Sequence, residues 1–138
     1  VEAAAWREDP VTSERRILAE TLIALTAEPD IMAWRNNSGQ AWQGRRMEGR
    51  PGSLVRLEHG MVILRDARPV KFGLEGSGDI IGAASGRPLA VEMKTAEGQQ
   101  RRAQIMFEQA WVKVGGIYIL ARSAGEALDK VRSATLIG

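Results

Sequence analysis

The chain has 138 residues, 44% of them hydrophobic and 26% charged, with a formal net charge of +2. That is enough for one domain with a real core, and too apolar for an intrinsically disordered chain. With no cysteine and a single His, disulfide frameworks, Cys-built zinc sites and His-cluster metal centres are excluded, and a cytoplasmic protein is expected. Any metal centre must therefore be built from carboxylates, which suits Mg²⁺ or Mn²⁺. The pI near 9.4 is compatible with nucleic acid. No run of 18 apolar residues is present, so no membrane span is expected. The opening V-E-A-A-A-W-R-E-D-P lacks both a signal-peptide pattern and a Met, and reads as a trimmed or partial start.

In chain order, residues 1–11 read as an arm and 12–138 as one domain. A helix is predicted from Thr12 to Ala27, capped by Thr12 or Ser13, with Ile17, Leu18, Leu22 and Leu25 facing inward. Glu14 lies one turn before Leu18 on that stripe; an inward carboxylate needs a partner or a purpose, unless the helix dipole alone favours it. I-M-A-W-R then forms a strand ending in a turn at Asn36–Gly39. The following stretch, with Trp42, Arg45, Arg46 and Arg50, lacks periodicity and reads as an exposed loop. Its Arg residues suit a nucleic-acid backbone, and a plain solvated loop is the alternative. Leu54–Leu64 is predicted as a β-hairpin turning at His59-Gly60, with His59 a turn residue and not a catalyst.

The glycine-rich F-G-L-E-G-S-G leads into a strand opened by Asp79. The next strand carries Glu92 and Lys94, which share a face because they are two apart, with Val91 and Met93 on the other. A solvated strand face with one weak surface ion pair is the plain alternative for these three residues. An amphipathic helix follows, with Ala103, Phe107, Ala110, Trp111 and Val114 at its apolar positions and Gln104 near its start. I-Y-I-L-A reads as a buried strand, and a last helix opens on the capping box Ser123 and Glu126. Ala134–Ile137 reads as a short final strand. The order implies an α/β fold with a mixed sheet and a strand–helix–strand crossover after Glu92.

Asp followed by Glu-x-Lys on the next strand is the signature of the PD-(D/E)XK nuclease fold, and the whole chain resembles one branch of it, the VRR-NUC nucleases of small stand-alone phage type. The pieces that carry the resemblance are W-R-N-N-S-G (34–39), F-G-L-E-G-S-G-D-I-I-G (72–82), A-V-E-M-K-T (90–95), Q-I-M-F (104–107) and G-G-I-Y-I-L-A-R-S (115–123). With Glu14 they span residues 12–133. Segment 40–71 departs from the pattern, looking longer than the family core needs.

The resemblance implies a restriction-endonuclease-like core, a mixed central β-sheet flanked by helices, with an inserted β-hairpin. It implies that Asp79, Glu92 and the backbone carbonyl of Met93 ligate Mg²⁺ or Mn²⁺, and that Glu14 reaches the ion directly or through water. Lys94 would orient or help deprotonate the attacking water, and Gln104 would position Lys94 or the scissile phosphate. Arg35, Asn36, Arg45, Arg46, Arg50, Ser77, Arg101 and Arg102 are the expected DNA contacts. The implied activity is a divalent-metal-dependent DNA endonuclease, selective for branched or junction DNA, often a homodimer, serving repair or recombination in the cytoplasm of a bacterium or phage-infected cell. A non-catalytic DNA-binding module on the same fold, or a sequence-specific restriction-type nuclease, are the alternatives.

Overall fold

The computed structural model describes residues 10–48 and 58–136, with Gly52 and Leu54 between them. These fall into two compact units, one within Val1–Asn37 and Leu74–Gly138 and the other within Ser38–Gly73. The second coincides with the stretch read as an insertion.

The larger unit is mixed α/β. Helix α1 (Pro10–Thr26) leads to strand β1 (Ile31–Arg35); β4 (Ile80–Ala84), β5 (Arg87–Met93), α2 (Arg102–Lys113), β6 (Ile117–Ala121) and α3 (Ala124–Leu136) complete it, with β2 and β3 belonging to the smaller unit. The sheet order is β1-β4-β5-β6. β1 and β5 run antiparallel to β4, and β6 is parallel to β5 through α2. Among the described residues no helix is long and apolar enough to cross a membrane.

Alternation along the strands sends Ile80 and Ala84, Leu89, Val91 and Met93, and Ile117, Ile119 and Ala121 to one face. There they form a buried cluster with Leu25 of α1 and Ala127 and Val131 of α3. α2 covers the other face near β5 and β6: the Phe107 ring lies 6.2 Å from that of Tyr118 and stacks on Trp111 at 5.3 Å. At the other end of the cluster, the Arg132 fork on α3 holds Glu28 and Asp30 in the turn before β1.

Several expectations need correction. α1 begins at Pro10, a favoured first helical residue, so Thr12 and Ser13 lie within the helix and not at its N-cap position. The rest of the expected arm, residues 1–9, lies outside the described residues. Glu14 is exposed, because burial on its stripe fades from Leu25 and Thr21 to the half-buried Ile17 and Leu18 and is gone one turn earlier. In α2, Ala110 and Val114 are exposed, and Gln104 is buried beside Phe107 instead. Residues 134–136 are helix and not the expected strand, while Ile137 lies outside the described residues: α3 continues to Leu136, since Ala127, Leu128, Val131 and Ala134 keep helical spacing against the core. Its start is at Ser123 as expected, with Ser123 Oγ accepting from Glu126 N, but the return bond of the capping box falls one residue early, Glu126 Oε2 accepting from Arg122 N.

The smaller unit is a two-stranded ribbon of β2 (Gly39–Met47) and β3 (Ile63–Phe72). The stretch after Asn37 is thus a strand and not a loop. With both ribbon faces largely exposed, no period-two apolar pattern marks it. His59-Gly60 forms the expected turn, with Met61 N donating to Glu58 O and Gly60 at φ +85. β3, which takes in the end of the run after the turn, pairs with β2. Val55–Leu57 of the run before the turn, and Arg50, lie outside the described residues.

Candidate functional site

Asp79 immediately precedes β4, and the loop leading to it is pinned from three sides. Asn36 Nδ2 donates to Ser77 Oγ and Gly78 O at 2.8 and 2.9 Å, and Asn36 N donates to Asp79 O at 2.8 Å. Ser77 Oγ in turn donates to Leu74 O at 2.6 Å. Gly76, at φ +81, lies so close to α2 that a Cβ there would come 2.3 Å from Ala103 O. Asn36 and Ser77, expected as DNA contacts, thus already use side-chain polar groups to hold the Asp79 loop.

Asp79 Oδ2 accepts from Met93 N at 2.8 Å, tying the acid to the end of β5. Glu92, on the face of β5 opposite Val91 and Met93, is 3% exposed. Its Oε1 accepts from Gln104 Nε2 at 2.6 Å and lies 3.5 Å from Lys94 Nζ, while Oε2 is buried with no partner. Lys94 follows the strand, and its backbone N donates to Ala121 O, extending the pairing with β6. Gln104 is held by its other end, Oε1 accepting from Arg101 N at 2.8 Å, half of a capping box. One amide side chain therefore both caps α2 and fixes the Glu92 carboxylate. Glu92 thus has Lys94 and Gln104 against it and feels the Asp79 charge, and Gln104 bonds Glu92 and not the Lys94 it was expected to position.

Electrostatics mark the two acids. Burial, followed by the nearby Asp79 charge, pushes the Glu92 carboxyl up to about 7, against the pull of Lys94. Asp79 is also pushed up, chiefly by burial and also by the Glu14 charge, while its bond from Met93 N, Lys94 and Arg35 act the other way. Glu14 and Arg35 are exposed yet near enough for their charges to be felt at Asp79, and Arg101 likewise at Glu92. Arg102 opens α2 and is exposed. Arg45 and Arg46 lie on β2 in the smaller unit, where Arg45 does have an acidic neighbour: its Nη2 is 3.6 Å from Asp66 Oδ2.

Sequence reasoning passed over two neighbours of the site. Tyr118 pairs with Ala90 across β5 and β6; its Oη accepts from Gln100 Nε2, and burial pushes its phenol up to about 12. Its place in the alternation of I-Y-I-L-A was the available signal. Arg122 Nη1 donates to Thr95 O and Gly98 O, fastening the loop after Lys94; nothing local in the sequence announces that contact.

Among the described residues, no group of three or more His, Cys, Asp or Glu side chains is placed to hold a metal ion. Two carboxylates are present, one with a buried oxygen lacking any partner. Both are pushed toward protonation by burial and by nearby carboxylate charge, which a cation would relieve. That donor set fits Mg²⁺ or Mn²⁺, which take oxygen ligands and keep several waters of their own. No protein-family model matches the chain, and a search of curated proteins finds no match.

Proposed function

We propose that the chain is a divalent-metal-dependent DNA endonuclease with a PD-(D/E)XK core of the VRR-NUC type, selective for branched DNA and acting as a homodimer. The observation that carries the reading is the setting of Glu92: a buried carboxylate between Lys94 and Gln104, close to Asp79 in charge, with one oxygen unpartnered. A structural ion pair has no need of a second, half-buried acid nearby or of an orphaned buried oxygen, and each costs stability.

In this reading Asp79 and Glu92 hold Mg²⁺ or Mn²⁺, with the Met93 carbonyl as a third protein ligand and Glu14 acting through water. The ion, when bound, supplies positive charge against the phosphoryl oxygens and makes water a stronger acid. Lys94 holds its ammonium beside the attacking water or a phosphate oxygen, because Glu92 and the β6 pairing fix its position. Gln104 keeps Glu92 in one rotamer and so serves as a positioning residue. Arg35, Arg101 and Arg102 contact the DNA backbone, as do Arg45, Arg46 and Arg50; Asn36 and Ser77 add to this from the Asp79 loop.

The test is a cleavage panel of single strands, flaps, nicked duplex and four-way junctions with Mg²⁺, Mn²⁺ or EDTA. Cleavage only with metal, fastest on a branched substrate, and leaving 5′-phosphate ends, is expected. No cleavage of any substrate with either metal contradicts the proposal.

A further inference from the structure

The β2–β3 ribbon has a charge pattern that its own stability does not explain. Arg45, Arg46, Arg65, Arg68 and Lys71 stand on its two strands against one carboxylate, Asp66, in a chain whose whole net charge is +2. The register sets Arg45 directly opposite Arg65 and Gln43 opposite Arg68. Gln43 and Arg45 are two apart on β2, so all four side chains share a face. Like charges placed opposite each other destabilise a strand pair.

The register shift between Gln43 and Arg45 helps create this face. Asp66 and Ala67 bulge opposite Gly44, with Asp66 at φ +54. A Cβ on Gly44 would come 2.9 Å from Arg65 O, so the bulge requires glycine there. It returns Arg65 and Arg68 to the same face although they are three apart. Arg68 Nη2 donates to Gln43 Oε1 at 2.8 Å. The Arg45–Asp66 pair is 69% and 81% exposed and offsets little. Among the described residues, Arg65 and Arg68 have no ion pair.

The ribbon also buries almost nothing. Every residue from Gly39 to Arg46 is exposed, and a two-stranded ribbon without a hydrophobic face is marginal in water. A polyanion would turn its clustered charge from a cost into a binding surface. The other face adds Trp42, Arg46 and Lys71. Cations on both faces suit a groove with phosphates on each side better than a flat membrane, and the major groove of duplex DNA admits a two-stranded ribbon.

We propose that the β2–β3 ribbon docks in the major groove of duplex DNA, with Arg45, Arg65 and Arg68 meeting phosphates. The choice of DNA over another polyanion rests on the nuclease reading. The ribbon thereby selects substrates that offer a duplex arm, and binding through it precedes any chemistry.

The experiment uses the full chain carrying Asp79→Ala, in EDTA, so that binding is read apart from cleavage. Affinity for a fluorescent random-sequence 24-bp duplex is measured from 50 to 250 mM salt, with and without Arg45→Gln, Arg65→Gln and Arg68→Gln together. Each phosphate contact contributes about 0.9 to the slope of log affinity against log salt, so the triple variant should lose about 2.7 of slope and at least tenfold in affinity. Replacing the three by Lys should keep most of the slope. An unchanged slope in a variant that melts normally overturns the proposal, as does a Lys triple that behaves like the Gln triple. So does a charge-dependent preference for phosphatidylserine vesicles over DNA. If ribbon-dependent binding holds while the wild-type chain cleaves nothing with Mg²⁺ or Mn²⁺, the nuclease reading fails and the ribbon stands.

Discussion

At Glu92, burial and charge compete. Its carboxyl accepts from Gln104 and faces Lys94, both of which favour the ionised form, yet desolvation wins and lifts it to about 7 from 4.5. A raised acid makes its full stability contribution below the unfolded value, and that contribution is lost as pH climbs through the folded one. The metal-free protein should therefore lose on the order of 3 kcal/mol between pH 5 and pH 8 from this group. Asp79, shifted the same way, should add to the loss. Urea unfolding in EDTA at the two pH values measures it, and Glu92→Gln should flatten the profile; a stability that rises toward pH 8 contradicts the placement. Lys94→Ala should lower cleavage by orders of magnitude while leaving Mg²⁺ affinity, by calorimetry, near or above wild type. The ammonium competes with the metal for Glu92 and offers it no lone pair. A collapse of Mg²⁺ affinity would show that Lys94 acts structurally.

At the level of elements, the site depends on how the Asp79 loop meets α2 and β5. Gly76→Ala forces a side chain both into a left-handed backbone and against Ala103 O. It should cost about 1–3 kcal/mol or more and loosen Mg²⁺ binding, read by thermal melts with and without the ion. An unaltered melting temperature would mean that the loop is free to move aside. In the ribbon, Arg65→Thr removes the charge opposite Arg45 and should stabilise the strand pair by about 0.2–1 kcal/mol, seen as slower hydrogen exchange of β2 and β3 amides. The common face of Glu92 and Lys94 was legible in the sequence because strand periodicity sets it, whereas Asp79 and Gln104 were singled out by the family resemblance and not by periodicity. Glu14 was misread because helical periodicity says which side is inward and not where along α1 burial stops. The ribbon was misread because a strand exposed on both faces carries no alternating pattern, and only the partner strand supplies its order.

Across the whole molecule, the mixed sheet brings the two acids together: β4 and β5 are antiparallel neighbours, so Asp79 before one meets Met93 at the end of the other. The parallel β6, reached through α2, returns Gln104 to Glu92 and Arg122 to the loop after Lys94. A core on one face, and Glu92 and Tyr118 on the other, follow from the same alternation. The order of helix, strands and crossover was readable from apolar spacing; the long-range bonds of Asn36, Arg122 and Arg132 were not, since nothing local encodes a partner distant in sequence. The central claim is that Asp79 and Glu92 form a metal-dependent cleavage site, while neighbouring residues and not these two acids hold the DNA. The most direct measurement compares wild type, Asp79→Ala and Glu92→Ala on one labelled four-way junction, with cleavage in Mg²⁺ and binding in EDTA followed side by side. Wild type should cut only with metal, and both variants should bind within a few-fold of wild type and not cut. Cleavage by either variant at close to the wild-type rate would contradict the account.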